Sequence, residues 1–203
     1  MEVYQSTVTA AELEAALKNE GAGYENGMKA EYDRFWDSFQ ANGIAANYNY
    51  RFSMVWNDVT YRPKYPIKIN SSGGAQQIFY YSGVTNTIVD IVALTGVQFY
   101  CTFMYARSLV TIPRLVLTNT SYFNNAFREC FALENLNIEG VLGGAGFDVS
   151  DSTKLTHDSL MSIINALETK NSGTHTCTLG ATNLAKLTDA EKAIATGKGW
   201  TLA

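Results

Sequence analysis

The sequence contains few charged residues, few histidines and few cysteines. Asp, Glu, Lys and Arg make up 17% of the 203 residues, below the usual quarter, and there are two histidines and three cysteines. With a formal net charge of -4 and no run of Lys or Arg, the chain lacks the basic patch that favours nucleic acid or an anionic membrane surface. No stretch approaches the roughly 18 apolar residues of a membrane span. We therefore expect neither nucleic-acid binding nor membrane insertion.

The cysteines and the first residues indicate in which compartment the chain is synthesised and whether its thiols are reduced. Cys101, Cys130 and Cys177 are odd in number and widely spaced, so they predict neither a disulfide framework nor a zinc ribbon. The first residues contain neither a basic segment nor an apolar segment of the kind that a signal peptide combines. We expect cytoplasmic synthesis in reduced form, without a signal peptide.

The abundant polar residues are 20 Thr and 16 Asn, which favour strands, turns and helix caps.

Residues 1–43 nevertheless predict a helical segment. Thr9 and Glu12 match a capping box, and apolar residues from 24 to 39 follow one helical stripe. Residues 44–74 break every period, and we interpret them as an irregular, aromatic-rich connector that caps the next element.

A 24-residue repeat determines the predicted fold of residues 75–203. Phe79, Phe103 and Phe127 recur at this spacing, and each is followed three positions later by a small residue. Two further columns follow the same spacing, namely Thr85, Leu109 and Leu133, and Ile88, Ile112 and Leu136. A period of this length with Leu or Ile at fixed offsets is typical of a leucine-rich repeat solenoid, whose units bury their apolar faces against each other.

We therefore predict an α/β solenoid in which short parallel strands stack in a right-handed course over about residues 75–180. The three phenylalanines are expected to stack in one column. Two strand registers remain open, because 136–138 matches 112–114 at a spacing of 24 residues and 115–117 at a spacing of 21. We expect a difference of three residues between repeat copies.

The last part of the chain predicts a helical cap for this solenoid. Thr156 is placed to cap a helix, and 176–179 alternates like a strand. Thr188 and Glu191 form a capping box that begins a second helix, which Gly197 and Gly199 end. The apolar face of the first helix comprises Leu160, Ile163, Ile164 and Leu167.

These repeats resemble the BspA-like leucine-rich repeats of bacterial surface proteins, in which an aromatic residue is followed by a small residue and then by Leu and Ile. The strings 30–43, 152–167 and 178–195 are similar to proteins encoded in phages and prophages of gut Firmicutes. The resemblance implies a phage-associated binding or structural protein, such as a tail or baseplate accessory or host-surface adhesin, on the virion or the bacterial cell surface. The alternative is a bacterial surface or intracellular protein-protein interaction module.

The residue patterns do not favour an enzyme, a cofactor or a metal site. His157 and His175 lie in a helix start and a turn without ligand-spaced partners, so we interpret both as solvated. Asp148, Asp151 and Asp158 do not fit a calcium loop and are assigned to turns and caps. Residues 140–146 lack the Lys-Ser/Thr of a phosphate-binding loop, which favours a flexible turn. Cys130 is expected to be buried and inert.

Two groups of residues are predicted to bind a protein partner. Asn135, Asn137 and Glu139 alternate with buried residues in the last regular strand and are expected to face solvent. Tyrosines offer rigid contact area with a polar tip, although we expect about half of them to be buried between repeats. The tyrosines in question are Tyr80, Tyr81 and Tyr105, with Tyr100 and Tyr122 nearby in sequence. The aromatic region 48–65 is an alternative surface.

Overall fold

The computed structural model describes residues 67–69, 75–83, 85, 90–93 and 96–203. The predicted helical segment 1–43 and, apart from residues 67–69, the predicted connector 44–74 with its aromatic region 48–65 lie outside these residues. Of the predicted connector, the described residues are 67–69, and these form a strand of the main sheet. The prediction of irregular structure is wrong for these three residues, so the sheet begins before residue 75.

The described residues form two parallel sheets and three helices. The first sheet has the order β1 (Ile67–Ile69), β2 (Ile91–Ala93), β3 (Thr111–Ser121) and β4 (Asn135–Leu142). The second has the order β5 (Gly146–Asp148), β6 (Thr176–Thr178) and β7 (Thr201–Leu202). The helices are α1 (His157–Ala166), α2 (Ala181–Leu184) and α3 (Asp189–Gly197).

The strand register settles the alternative that the sequence left open. Ile91 pairs with Leu115, and Ile112 pairs with Leu136, so both pairs keep the spacing of 24 residues. From the pair Leu115 and Ile138 to the pair Leu117 and Gly140 the spacing is 23, and for Ser121 and Leu142 it is 21. The expected three-residue difference is not found at 136–138, but it is reached in two steps by the end of the two strands. The first shift falls at Pro113, which has no N–H to donate to the ladder, and a bulge at such a position is expected.

The three phenylalanines stack in one column, as predicted. The Phe79 and Phe103 ring centroids are 5.2 Å apart, the Phe103 and Phe127 centroids are 5.3 Å apart, and the planes are within 9° of parallel. The small residue after each ring closes a tight turn; for example, Ala106 N–H donates to Phe103 O at 2.9 Å. A second stack, Phe99 on Phe123 at 4.6 Å, was not predicted.

The turns that carry these phenylalanines are hydrogen-bonded to each other across successive repeats. Phe79 N–H donates to Thr102 O at 2.8 Å, and Phe103 N–H donates to Ala126 O at 2.9 Å. This ladder ends at Glu129, whose N–H donates to Asp151 Oδ2 at 2.8 Å. These contacts are of the kind that stacked repeats make, and the α/β solenoid class itself stays a prediction.

Two other expectations differ from the structure. Thr85 is exposed, unlike the fully buried Leu109 and Leu133 of its column, and Ile88 lies outside the described residues. The predicted flexible turn at 140–146 is shorter, because β4 continues to Leu142 and β5 begins at Gly146. The strands β5 and β7 and the helix α2 were not predicted.

The C-terminal helices begin where the sequence predicted. The Thr156 hydroxyl accepts a hydrogen bond from Ser159 N–H, and α1 buries Leu160, Ile163 and Ile164 against the core. At the other end of α1, Lys198 Nζ donates to Ile164 O and Asn165 O at 3.2 and 2.6 Å. A cation at these carbonyls stabilises the helix C-terminus.

The capping box of α3 predicts a pH-dependent contribution to stability. Thr188 N–H and the Thr188 hydroxyl donate to Glu191 Oε2 at 2.7 and 2.9 Å. These bonds, and smaller effects of His157, hold the pKa of Glu191 below its ordinary value of 4.5. Because the folded-state pKa is depressed, the stabilisation is complete above the ordinary pKa and is lost as pH falls through the folded-state pKa.

We expect Glu191→Ala to lower the urea midpoint at about pH 7 and to have little effect at about pH 2–3. Urea unfolding of both chains at the two pH values measures this. The control is Lys154→Ala, an exposed residue outside the capping box, whose effect should not change with pH. An equal loss at both pH values for Glu191→Ala would mean that the carboxylate charge does not act in the cap.

Candidate functional site

The predicted binding residues belong to two different parts of the repeat. The strand face consists of the exposed side chains Asn135, Asn137 and Glu139 of β4. The tyrosine cluster consists of Tyr80, Tyr81 and Tyr105, which lie in turns that precede β2 and β3. The structure therefore brings together the members of each group, but the two groups lie on different elements.

The strand face is exposed because β4 alternates. Leu136 and Ile138 are buried, and the polar residues on either side of them point away from the core. Asn135 Nδ2 donates to Thr111 Oγ1 at 3.4 Å, which links the face to β3. The prediction that these side chains face solvent is confirmed.

Arg114 extends the strand face into a charged row that was not predicted. Its Nε lies 3.3 Å from Asp90 Oδ2 and 3.5 Å from Glu139 Oε1, so one guanidinium links a carboxylate that directly precedes β2 to a carboxylate on β4. The row has two negative charges and one positive charge. The 24-residue spacing of Asp90 and Arg114 is the signal that could have identified it.

A polar groove with a volume of about 390 Å³ lies between the sheet and the start of α1. From the sheet it is lined by two residues of the strand face, Asn135 and Asn137, together with Thr111, Ile112, Pro113 and Leu136. From the helix side it is lined by Thr156, Asp158, Ser159 and Ser162. The helix residues were not predicted to take part in a site.

Serines of α1 take the place that a further strand would occupy beside β4. Ser159 Oγ accepts from Leu136 N–H at 3.0 Å and donates to Glu134 O at 3.1 Å. Ser162 Oγ accepts from Ile138 N–H at 2.6 Å and lies 3.3 Å from Asn137 Oδ1. These backbone groups of the β4 edge are satisfied, so the groove offers side chains rather than a free strand edge to a ligand.

The tyrosine cluster is a set of mutually packed rings. Tyr81 and Tyr105 stack with their centroids 4.3 Å apart, and Tyr80 stands nearly perpendicular to both at 4.7 and 5.6 Å. Tyr81 is 51% exposed, whereas Tyr80 and Tyr105 are partly buried. Tyr100 and Tyr122 are also exposed. None of these five tyrosines is buried, so the expectation that about half of them lie buried between repeats is wrong.

An ion pair borders the tyrosine cluster. Arg107 Nε donates to Glu129 Oε2 at 3.1 Å, and its Nη2 donates to the same oxygen. The Arg107 guanidinium lies 5.7 Å from the Tyr105 ring centroid, within the range of a cation–π contact. Glu129 raises the pKa of Arg107, first through the hydrogen bond and then through its charge.

The two histidines are engaged in structural contacts. His157 Nε2 lies 2.9 Å from Glu191 Oε1, which joins the start of α1 to α3 while the side chain stays half-exposed. His175 is packed 5.5 Å from Trp200, and its ring nitrogens lie 3.1 Å from Gly144 O and 3.0 Å from Ser172 O. The interpretation of His175 as solvated is therefore wrong, since the ring is only partly exposed and Trp200, which directly precedes β7, packs against it.

The three cysteines are buried and free. Burial raises the pKa of Cys130 and of Cys177 to about 12 and raises that of Cys101 as well. Cys130 Sγ donates to Phe103 O at 3.1 Å. Because the thiolate is the reactive form, these residues have little nucleophilic character, and the prediction for Cys130 is confirmed.

The acidic residues serve turns, as predicted. Asp148 Oδ1 accepts from Ser150 N–H and from its hydroxyl at 2.9 and 2.8 Å, and Asp151 receives Glu129 N–H. Asp158 lies in the first turn of α1, where an acidic residue favours the helix start. Within the described part of the chain, no group of three His, Cys, Asp or Glu residues is arranged to hold a metal ion.

Comparisons of the chain with protein-family models, with curated proteins and with solved structures found no match. Among the described residues, no helix is both long and apolar enough to cross a membrane. The resemblance to BspA-like repeats stays a prediction.

Proposed function

We propose that this protein is a non-enzymatic binding protein that recognises a protein partner through the polar groove and the adjoining strand face. The observation that carries the proposal is the convergence of Asn135 and Asn137 with Asp158 and the α1 serines in one groove of about 390 Å³. Amide, hydroxyl and carboxylate groups held by the sheet and by α1 suit a wet, polar contact of modest affinity.

The rigidity of the site supports this role. Ser162 lies within hydrogen-bond distance of Asn137, and Arg114 is ion-paired with Glu139, so both recognition groups have partners within the protein before a ligand arrives. A preorganised surface loses less conformational entropy on binding than a flexible one. The core beneath it is a continuous apolar cluster that includes Leu136 and Ile138.

The biological setting of the proposal rests on the resemblance. As a phage-associated protein, the chain would act as a tail or baseplate accessory or a host-surface adhesin, on the virion or at the bacterial cell surface. Mass spectrometry of purified particles tests this setting, and incorporation is the expected result. Absence from particles, together with an enzymatic turnover that His157→Ala abolishes, would contradict both the setting and the non-enzymatic role.

A substitution that fills the groove with a larger side chain tests whether the partner binds there. We expect Asn135→Arg to weaken binding of the partner recovered from particles or host envelope extracts by at least about tenfold, because an arginine occupies the groove. The control is Asn171→Arg, the same change at an exposed turn residue outside the groove lining, which should bind as the unmodified chain does. Equal binding by both variants, measured by surface plasmon resonance, would place the contact elsewhere.

A further inference from the structure

The backbone at the tyrosine cluster is not one that tyrosine favours. Tyr81, Tyr105 and Glu129 have positive φ angles of 54°, 64° and 59°. Each is the third residue of a four-residue turn, as in type II turns, where glycine or asparagine is the least strained choice. A large side chain at such a position is strained, because its Cβ atom crowds the following carbonyl oxygen. Since Tyr81 leaves about half of its surface exposed at 51%, its burial does not account for its presence there.

The rings are fixed in place without a ligand. Tyr105 is stacked on Tyr81 with an interplanar angle of 26°, and Tyr80 contacts both rings edge to face. Rings that pack on each other lose little further freedom when a ligand contacts them. The cluster therefore presents a rigid aromatic surface.

Polar groups of both kinds lie beside this surface. Arg107 exposes 60% of its side chain, and the ion pair with Glu129 leaves no net charge. Both hydrogen bonds from Arg107 go to one carboxylate oxygen, Glu129 Oε2. Among the described residues, Glu129 Oε1 and the remaining guanidinium N–H groups have no hydrogen-bond partner, so an acceptor and donors are available to a ligand.

The aromatic surface and the adjoining ion pair together indicate which class of ligand fits the site. The aromatic surface suits a flat apolar C–H face, and the ion pair suits hydroxyl groups that both donate and accept. An anion at the available guanidinium N–H groups would lie beside the Glu129 carboxylate, and a cation at Glu129 Oε1 would lie beside the Arg107 guanidinium, so a like charge opposes either ligand. A pyranose sugar has the C–H face and the hydroxyls and carries no charge.

We infer that the tyrosine cluster, together with Arg107 and Glu129, is a second binding site of this protein and that its ligand is an uncharged carbohydrate chain. This site lies in the turns, apart from the polar groove, and it extends the proposed function to a ligand of a different class.

The test uses the full chain with ring-labelled tyrosine and four neutral probes, namely malto-, cello-, manno- and chito-oligosaccharides of four sugar units. NMR and calorimetric titrations should show tyrosine ring shifts and a dissociation constant of about 10 µM to 1 mM for at least one probe. Tyr81→Asn, which suits a positive φ, and Arg107→Met, which leaves the backbone unchanged, should each weaken binding by at least about tenfold. Urea midpoints establish that both variants fold.

Asn135→Arg is the control, because it fills the polar groove and leaves the tyrosine cluster unchanged. Sugar binding by this variant should equal that of the unmodified chain, even though it binds the protein partner more weakly, so the two proposals succeed or fail separately. The inference is overturned if none of the four neutral probes shifts a tyrosine ring signal, if folded Tyr81→Asn and Arg107→Met bind undiminished, or if Asn135→Arg abolishes sugar binding.

Discussion

Truncation of Phe103 to alanine is expected to cost about 3–5 kcal/mol of the free energy of unfolding. The ring is fully buried and stacks on Phe79 at one face and on Phe127 at the other, so its removal leaves a cavity between two rings. The loss includes the transfer free energy of the ring and its dispersion contacts on both faces. For a chain of this size we expect the melting temperature to fall by roughly 6–20 °C.

The matched control for this truncation is Phe131→Ala, the same change at a ring that is 47% exposed. It is expected to cost less than about 1 kcal/mol. Chemical denaturation of both variants, with slopes compared to that of the unmodified chain, measures the two losses. Similar losses for Phe103 and Phe131 would mean that the ring column does not dominate the stability of the repeats.

The features that could be predicted from the sequence are those that recur. The column Phe79, Phe103 and Phe127 repeats the same chemistry at the same spacing, and each copy must bury its ring against the next. Helix starts at Thr156 and Thr188 were also predicted, because a cap is a local interaction between neighbours in sequence. The repeated aromatic position and the helix cap can each be recognised from a few neighbouring residues.

The features that could not be predicted depend on single residues or on contacts distant in sequence. Pro113 shifts the register by one residue, which no count of repeat columns reveals. The strands β5 and β7 have three and two residues, too few to display an alternation. Their existence depends on pairing with β6, a tertiary contact.

In the candidate site, too, some residues could be predicted from a local sequence pattern and others depend on tertiary contacts. Alternation along β4 sufficed to place Asn135, Asn137 and Glu139 on an exposed face. The other wall of the groove could not be foreseen, because Ser159 and Ser162 act on β4 only once α1 lies beside it. The pair Arg107 and Glu129 is 22 residues apart, not 24, and so falls outside the repeat columns.

Gly140 occupies a position in β4 where the backbone and the neighbouring strand both require glycine. Its φ of +95° is one that residues with a side chain rarely adopt. A Cβ atom there would lie 1.9 Å from Leu117 O and 2.9 Å from Leu117 C, and Leu117 is its register partner on β3. Because these are backbone atoms of a paired strand, they cannot move aside without separating β3 from β4.

Gly140→Ala is therefore expected to cost about 2–4 kcal/mol, since the clash and the strained φ act together. The matched control is Gly197→Ala at the end of α3, where an added Cβ meets nothing within 4 Å. Because alanine favours a helix more than glycine does, this control is expected to be neutral or to stabilise by up to about 1 kcal/mol. The two variants, compared by urea denaturation, should thus change stability in opposite directions or differ by at least about 2 kcal/mol. If Gly140→Ala proves as stable as Gly197→Ala, then β3 and β4 are not paired at Leu117.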